Sequence, residues 1–136
     1  MRDPLREGGR WLRQADVDLE AARLLTPRFA ALACFHAQQA AEKALKAILY
    51  GAGERIVLGH SLAELGAAVE RHSADFAALA GEVAKLDRYY VPTRYPNALP
   101  GGDPNEAFDE ADAESAIAQS ERAIEHARGF LGERGR

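Results

Sequence analysis

The residues best suited to binding chemistry lie in one stretch, residues 86–108, which reads LDRYYVPTRYPNALPGGDPNEAF. It contains four of the chain's six prolines and three of its four tyrosines: Tyr89, Tyr90 and Tyr95. Arg94 stands among them. Its guanidinium is a planar fork of N–H donors that matches a phosphate or a carboxylate. The stretch therefore predicts a loop that presents Arg94 to an anion, beside Tyr90 and Tyr95.

The same stretch also allows a purely structural interpretation. A proline at every fourth position excludes a helix, and ordering a long loop without hydrogen-bonded structure costs conformational entropy. Tyrosine rings offer large packing areas with few rotatable bonds, so the three tyrosines could pin the loop to the rest of the protein. In this alternative Arg94 pairs with Asp87 or Glu42 and only holds the loop in place.

A second group of polar residues lies in an otherwise apolar segment. His36, Gln39 and Lys43 are spaced i, i+3 and i+7, which places them on one face of a helix. This stripe could hydrogen-bond a nucleotide or a partner protein. The alternative is a polar seam at which the helix meets solvent or a second subunit.

Arg55 and His60 are separated by four residues, in the order RIVLGH. This spacing matches the arginine–histidine pair of some metal-independent ribonucleases. The alternative is structural, because Gly59 and a helix cap at Ser61 flank His60 and favour a loop histidine that orders the turn.

Metal and cofactor chemistry are not indicated. No histidine has a glutamate three residues before it, as a carboxylate-bridged metal centre in a helical bundle requires. Cys34 is the single cysteine and lies in the apolar run ALACF, so we expect a buried, inert thiol and no disulfide. Phosphate-binding and dinucleotide-binding glycine motifs are absent from the sequence, which predicts no cofactor and no metal.

The composition indicates one helical domain over residues 1–136. Hydrophobic residues make up 47% and charged residues 28% of the chain, and helix formers outnumber β-branched residues. The net charge of −4 does not favour a partner bound mainly through neutralised phosphates. Without an apolar run long enough to cross a bilayer or an apolar leader, we expect a cytoplasmic protein with no membrane contact.

Apolar periodicity and capping residues predict the helices. The first carries a cap at Asp3-Pro4 and ends near Leu25. The second, over about residues 27–50, is apolar nearly all round and should be central. Two shorter helices follow, capped by Ser61 (with Glu64 as a capping box) and by Ser73, and Pro92 ends the second of them. A long last helix is predicted from the 4-3-4-3-4 spacing of Ala113, Ile117, Ser120, Ile124, Ala127 and Leu131. The sum is an all-α antiparallel bundle of four to five helices with a long Tyr/Pro-rich loop before the last helix.

Three segments together resemble the HEPN domain, a family named for nucleotide binding in higher eukaryotes and prokaryotes. They are HAQQAAEKALKAIL (36–49), GHSL (59–62) and YYVPTRYPNALPGG (89–102), the last followed by an acidic helix start. The resemblance implies a bundle of four or five helices that is typically dimeric. It also implies a gene beside that of a minimal nucleotidyltransferase, often as a toxin–antitoxin pair.

Many HEPN proteins are ribonucleases that use an arginine followed, after four to six residues, by a histidine near the start of the last helix. Arg94 stands at about the right place, but no histidine follows it in YPNALPGGDP. Metal-free RNA cleavage needs a proton acceptor for the 2′-hydroxyl, and an arginine alone does not supply one. The leading hypothesis is therefore a non-enzymatic partner of a nucleotidyltransferase that binds a nucleotide or RNA.

Two alternatives remain at the level of sequence. One is a ribonuclease toxin in which folding or dimerisation brings His36 or His60 to Arg94. The other is a purely structural helical homodimer. In the leading hypothesis the ligand contacts Arg94, Tyr90, Tyr95 and the stripe of His36, Gln39 and Lys43.

Overall fold

The computed structural model describes residues 3–135 and contains six α-helices in that range. They are α1 (Pro4–Leu25), α2 (Ala30–Gly51), α3 (Leu62–Glu70), α4 (Ala77–Ala84), α5 (Pro104–Ala107) and α6 (Glu110–Arg134). Three short 3-10 turns lie at Ala74–Phe76, Lys85–Tyr89 and Pro96–Ala98. No strand is present in the described range, so the predicted all-α bundle is confirmed.

The first helix begins and ends where the sequence indicates. The Asp3 side chain accepts a hydrogen bond from the Leu5 amide, and Pro4 occupies the first turn. At the other end the Thr26 hydroxyl donates to the Ala22 carbonyl and closes α1. The second helix starts at Ala30, three residues later than predicted.

α2 is the central helix, packed mainly against α1 and α6. Leu45, Ile48 and Leu49 are almost completely buried, as the apolar pattern of this helix predicts. α1 approaches α2 closely, because a Cβ atom at Gly8 would lie 2.7 Å from the Ala47 carbonyl oxygen. Glycine at position 8 therefore allows the backbones of α1 and α2 to approach closely.

The start of α3 is capped more fully than the sequence indicates. Ser61 Oγ accepts from the Glu64 amide as predicted. The reciprocal bond of a capping box is not formed among the described residues; Asp87 instead accepts from the Leu62 amide at 2.6 Å and the Ala63 amide at 3.2 Å. A carboxylate at a helix N-terminus is stabilising, so Asp87 ties the segment after α4 to α3.

The helix predicted from Ser73 to Pro92 is divided into a 3-10 turn, α4 and a second 3-10 turn. Ser73 does not cap it, because the Ser73 hydroxyl donates to Asp75 and contacts His126 Nε2 at 2.8 Å. The apolar spacing still marks the buried side, since Phe76, Val83 and Leu86 are all buried.

The Tyr/Pro-rich loop contains more helical structure than predicted. Pro96 opens a 3-10 turn and Pro104 opens α5, each at a position where a missing N–H costs nothing. Asp109 then begins α6 with a complete capping box to Asp112. Proline here starts short helical turns as well as preventing long ones. Over residues 3–135, no helix is long and apolar enough to cross a membrane.

Candidate functional site around Arg94

Three aromatic rings surround the Arg94 guanidinium. Its central carbon lies 4.4 Å from the ring centre of Phe35, 4.9 Å from that of Tyr90 and 5.1 Å from that of Tyr95. Arg94 Nε also donates to the Tyr90 carbonyl at 2.9 Å. Cation–π contacts and this hydrogen bond fix the orientation of the side chain. The structure thus brings together the loop residues Arg94, Tyr90 and Tyr95, and it adds Phe35 from α2.

The terminal nitrogens of Arg94 have no hydrogen-bond or ion-pair partner among residues 3–135. The predicted pairing with Asp87 or Glu42 is wrong. Asp87 caps α3, and Glu42 accepts from Lys46 at 3.3 Å and contacts His60. A positively charged fork with satisfied Nε and open Nη donors is suited to bind an external anion.

His60 reaches the same site through Tyr90. The two rings are stacked, with centres 5.0 Å apart and an angle of 20° between their planes. His60 Nδ1 lies 3.2 Å from both carboxylate oxygens of Glu42, and 58% of the His60 side chain is exposed. Tyr90 therefore contacts both Arg94 and His60, residues that are far apart in the sequence.

Arg55, by contrast, makes no hydrogen bond or ion pair with His60 within the described range. It is exposed and lines a separate open cavity between the start of α1 and the end of α2. His60 is linked to Arg94, because both contact Tyr90. Among the described residues it is not paired with Arg55, the arginine that the sequence spacing suggests.

The stripe on α2 faces α1. Lys43 Nζ lies 2.6 Å from Asp18 Oδ2 and also donates to Gln39 Oε1 at 3.3 Å. His36 Nδ1 is 4.0 Å from Asp18 Oδ1. These contacts form a polar seam between the two helices, in which Asp18 offsets the charge of Lys43.

The seam and the Arg94 site are linked along α2. Gln39 donates to Gln38 at 2.8 Å, and Gln38 Nε2 lies 3.5 Å from Glu42 Oε1. His36 packs edge-on against Phe35, with ring centres 5.5 Å apart, and Phe35 is one of the rings around Arg94. His36 is thus connected to Arg94 through Phe35.

Sequence reasoning missed Phe35, Asp18 and the role of Glu42. Phe35 lies in an apolar run, so nothing in its spacing distinguishes it from a core residue. A signal for Glu42 was present, because an acidic residue in so apolar a helix needs a partner when it is buried.

Tyr89 anchors the loop and is separate from the candidate site. Its ring is buried, and its hydroxyl accepts from Arg88 at 2.7 Å. Burial raises the pKa of Tyr89. Burial also raises the pKa of the Cys34 thiol to about 12, with the nearby Asp112 adding to the effect. Cys34 is therefore buried and protonated, as expected from the sequence.

Within residues 3–135, no three side chains of histidine, cysteine, aspartate or glutamate are grouped so that they could hold a metal ion.

The chain thus folds as an all-helical bundle with a loop arginine, Arg94, before its last helix. The family model of the HEPN domain matches residues 9–130, and the chain therefore belongs to the HEPN domain family. This confirms the resemblance seen in the sequence.

Two solved structures are similar over nearly the whole chain. TT1696 from Thermus thermophilus is 32% identical, with a TM-score of 0.80, over 94% of this chain and 98% of that one. ST0689, described as an archaeal HEPN homologue, is 34% identical, with a TM-score of 0.71, over 92% and 98%. No curated protein matches the chain.

Proposed function

We propose that this HEPN protein binds a nucleotide-type ligand, and that Arg94 holds a phosphate of that ligand. One observation carries the proposal: Nε donates to the Tyr90 carbonyl and the guanidinium is enclosed by three rings, while its terminal nitrogens have no partner among residues 3–135. A preoriented guanidinium loses little entropy on binding, and its hydrogen bonds to phosphate are charge-assisted.

The test compares wild type with Arg94→Ala and Arg94→Lys in titrations with ATP and with a short RNA. We expect Arg94→Ala to lose about 1.5–3 kcal/mol of binding free energy, the range for hydrogen bonds to a charged group. Arg94→Lys should recover only part of it, because an ammonium lacks the planar fork. Arg122→Ala is the matched control, since Arg122 is an exposed arginine on α6.

Melting curves on each variant separate binding from folding. Arg94→Ala also removes contacts with aromatic rings, so affinities are compared at a temperature at which every variant is folded. If folded wild type binds neither ligand, or if the affinity loss only follows unfolding, the proposal is rejected and a structural homodimer remains.

The proposed partners are a second copy of the chain and a minimal nucleotidyltransferase. The support for the nucleotidyltransferase is the family membership, together with a ligand site that would bind the nucleotides such an enzyme uses. Mixing the purified protein with the product of an adjacent nucleotidyltransferase gene should give a complex in size-exclusion chromatography. Separate elution at micromolar concentrations of both would contradict this pairing.

A second candidate function, RNA cleavage, is favoured by the contact between His60 and Glu42. With Nδ1 held by the carboxylate, Nε2 of His60 is available to accept the proton of a 2′-hydroxyl. The 2′-oxygen would attack phosphorus, the bond to the 5′-oxygen would break, and Arg94 would stabilise the charge on the phosphate oxygens. His60→Ala and Arg94→Ala should then each abolish cleavage without unfolding the protein.

His36 is the other histidine that the sequence offered for this role. It contacts Phe35 and faces Asp18, so His36→Ala should leave most cleavage intact. Loss of cleavage in His36→Ala but not in His60→Ala would reverse this assignment, and no cleavage by wild type would reject the second function.

A further inference from the structure

A cavity of about 370 Å³ opens beside Arg94, between the start of α2 and the segment that leads into α5. Its apolar wall is formed by Phe29 and Leu32, and Arg94, Asp103 and Asn105 contribute polar groups. Phe29 and Leu32 are 42% and 41% exposed, so their apolar surface is accessible to a ligand. The cavity thus combines one cation, one carboxylate, one amide and an apolar wall.

The polar groups of the cavity have unused hydrogen-bonding capacity. Asp103 Oδ1 accepts from the Glu106 amide at 3.0 Å, whereas Asp103 Oδ2 and the Asn105 side chain, both on exposed residues, have no protein partner in the described part of the chain and are accessible to a ligand. A free carboxylate oxygen accepts N–H groups and repels phosphate. The cavity therefore suits a ligand with an anionic group at Arg94 and an uncharged, N–H-bearing group toward Asp103.

The apolar wall adds to this selectivity. Phe29 and Leu32 offer an apolar surface on which a flat ring can be buried. The Arg28 side chain also lies at this wall, with its guanidinium carbon 5.3 Å from the Phe29 ring centre. Binding a planar heterocycle against such a wall removes apolar area from water. A volume near the lower end of the range for small-molecule sites, about 300–1,000 Å³, fits one nucleoside and not a run of nucleotides.

We propose that this cavity takes the base and sugar of a mononucleotide whose phosphate is bound by Arg94. The proposal rests on the proposed function and deepens it, because it assigns the ligand as a single nucleotide and the position of its base. Asp103 and Asn105 contact the N–H-bearing edge of the base, and Leu32 packs against its face.

The experiment measures the binding of ADP, GDP and inorganic pyrophosphate to the full chain by calorimetry. Pyrophosphate engages Arg94 but has no base, so the ratio of nucleotide to pyrophosphate affinity reports the cavity alone. We expect ADP or GDP to bind at least about tenfold more tightly than pyrophosphate, which corresponds to about 1.4 kcal/mol.

Leu32→Trp should fill the cavity and abolish this advantage while pyrophosphate binding is retained. Leu24→Trp is the matched control, since Leu24 is 81% exposed on α1 and lies outside the cavity. Asp103→Asn is a second variant in case Leu32→Trp is unstable. Asparagine still caps α5, so this change should weaken nucleotide binding severalfold without weakening pyrophosphate binding.

The outcomes separate this proposal from the proposed function. If nucleotides bind no more tightly than pyrophosphate, if the advantage survives in folded Leu32→Trp, or if it is undiminished in folded Asp103→Asn, the nucleoside cavity is rejected and phosphate binding by Arg94 stands. If Arg94→Ala leaves pyrophosphate and nucleotide affinities unchanged, or if wild type binds none of the three ligands, both proposals are rejected.

Discussion

His60 Nδ1 lies 3.2 Å from both carboxylate oxygens of Glu42, and this contact joins the loop before α3 to the central helix. Glu42 and Lys46 are one turn apart on α2, with side chains that are only 5% and 8% exposed. Glu42 therefore offsets the buried charge of Lys46 and also orients the ring of His60. The candidate site depends on a buried ion pair directly beneath it.

We predict that Glu42→Ala destabilises the protein by about 3–5 kcal/mol, because removing one partner leaves a buried charge uncompensated. Asp16→Ala is the matched control. It removes the exposed pair with Arg128, at 2.9 Å, and should cost no more than about 1 kcal/mol. Urea denaturation measures both, and equal losses would show that the buried pair does not contribute as argued.

We predict that Leu45→Ala costs about 2–5 kcal/mol, the range for emptying a packed core site. Leu45 is fully buried, whereas Leu24 is 81% exposed, so Leu24→Ala should change the unfolding free energy by no more than about 0.5 kcal/mol. Chemical denaturation of the two variants gives the comparison. A small loss of unfolding free energy in Leu45→Ala would contradict the buried position of Leu45 on α2.

We predict that stability falls as the pH rises above about 8.5, the ordinary thiol pKa. The folded pKa of Cys34 is raised to about 12 by burial. The unfolded chain therefore releases this proton first, and its contribution to stability is lost as the pH rises toward 12.

Cys34→Ala tests this assignment. Tyr89, whose pKa is also raised, remains in both proteins, so the difference between wild type and variant isolates the thiol. The unfolding free energy of wild type should decline more steeply than that of Cys34→Ala between about pH 8 and pH 10. If the unfolding free energies of the two proteins declined in parallel over this pH range, the assignment to a buried Cys34 thiol would be contradicted.

We predict self-association into a dimer or a higher oligomer. Large apolar side chains remain exposed on the single chain, among them Ile56 and Leu58 before α3, at 75% and 82%. Light scattering at micromolar concentration should give at least twice the mass of one chain. A clean monomer mass would overturn this prediction.

The sequence by itself determined the fold class, both ends of α1, the start of α3 and the position of Arg94 in a loop before the last helix. These features depend on local physics: Asp3-Pro4 begins α1, apolar periodicity marks the buried face of α2, and the prolines prevent a long helix between α4 and α6. Three segments of the sequence, residues 36–49, 59–62 and 89–102, together also sufficed to indicate the HEPN family, which the family model confirms.

Only the tertiary structure decided which residues meet. Periodicity placed His36, Gln39 and Lys43 on one face but could not show that this face meets Asp18, a residue of another helix. The contact of His60 with Tyr90, and of Tyr90 with Arg94, likewise depends on how the loop before α3 packs against the segment between α4 and α5. A sequence pattern specifies the face that a residue occupies, whereas its neighbour across the interface is set by the packing of elements that are distant in the chain.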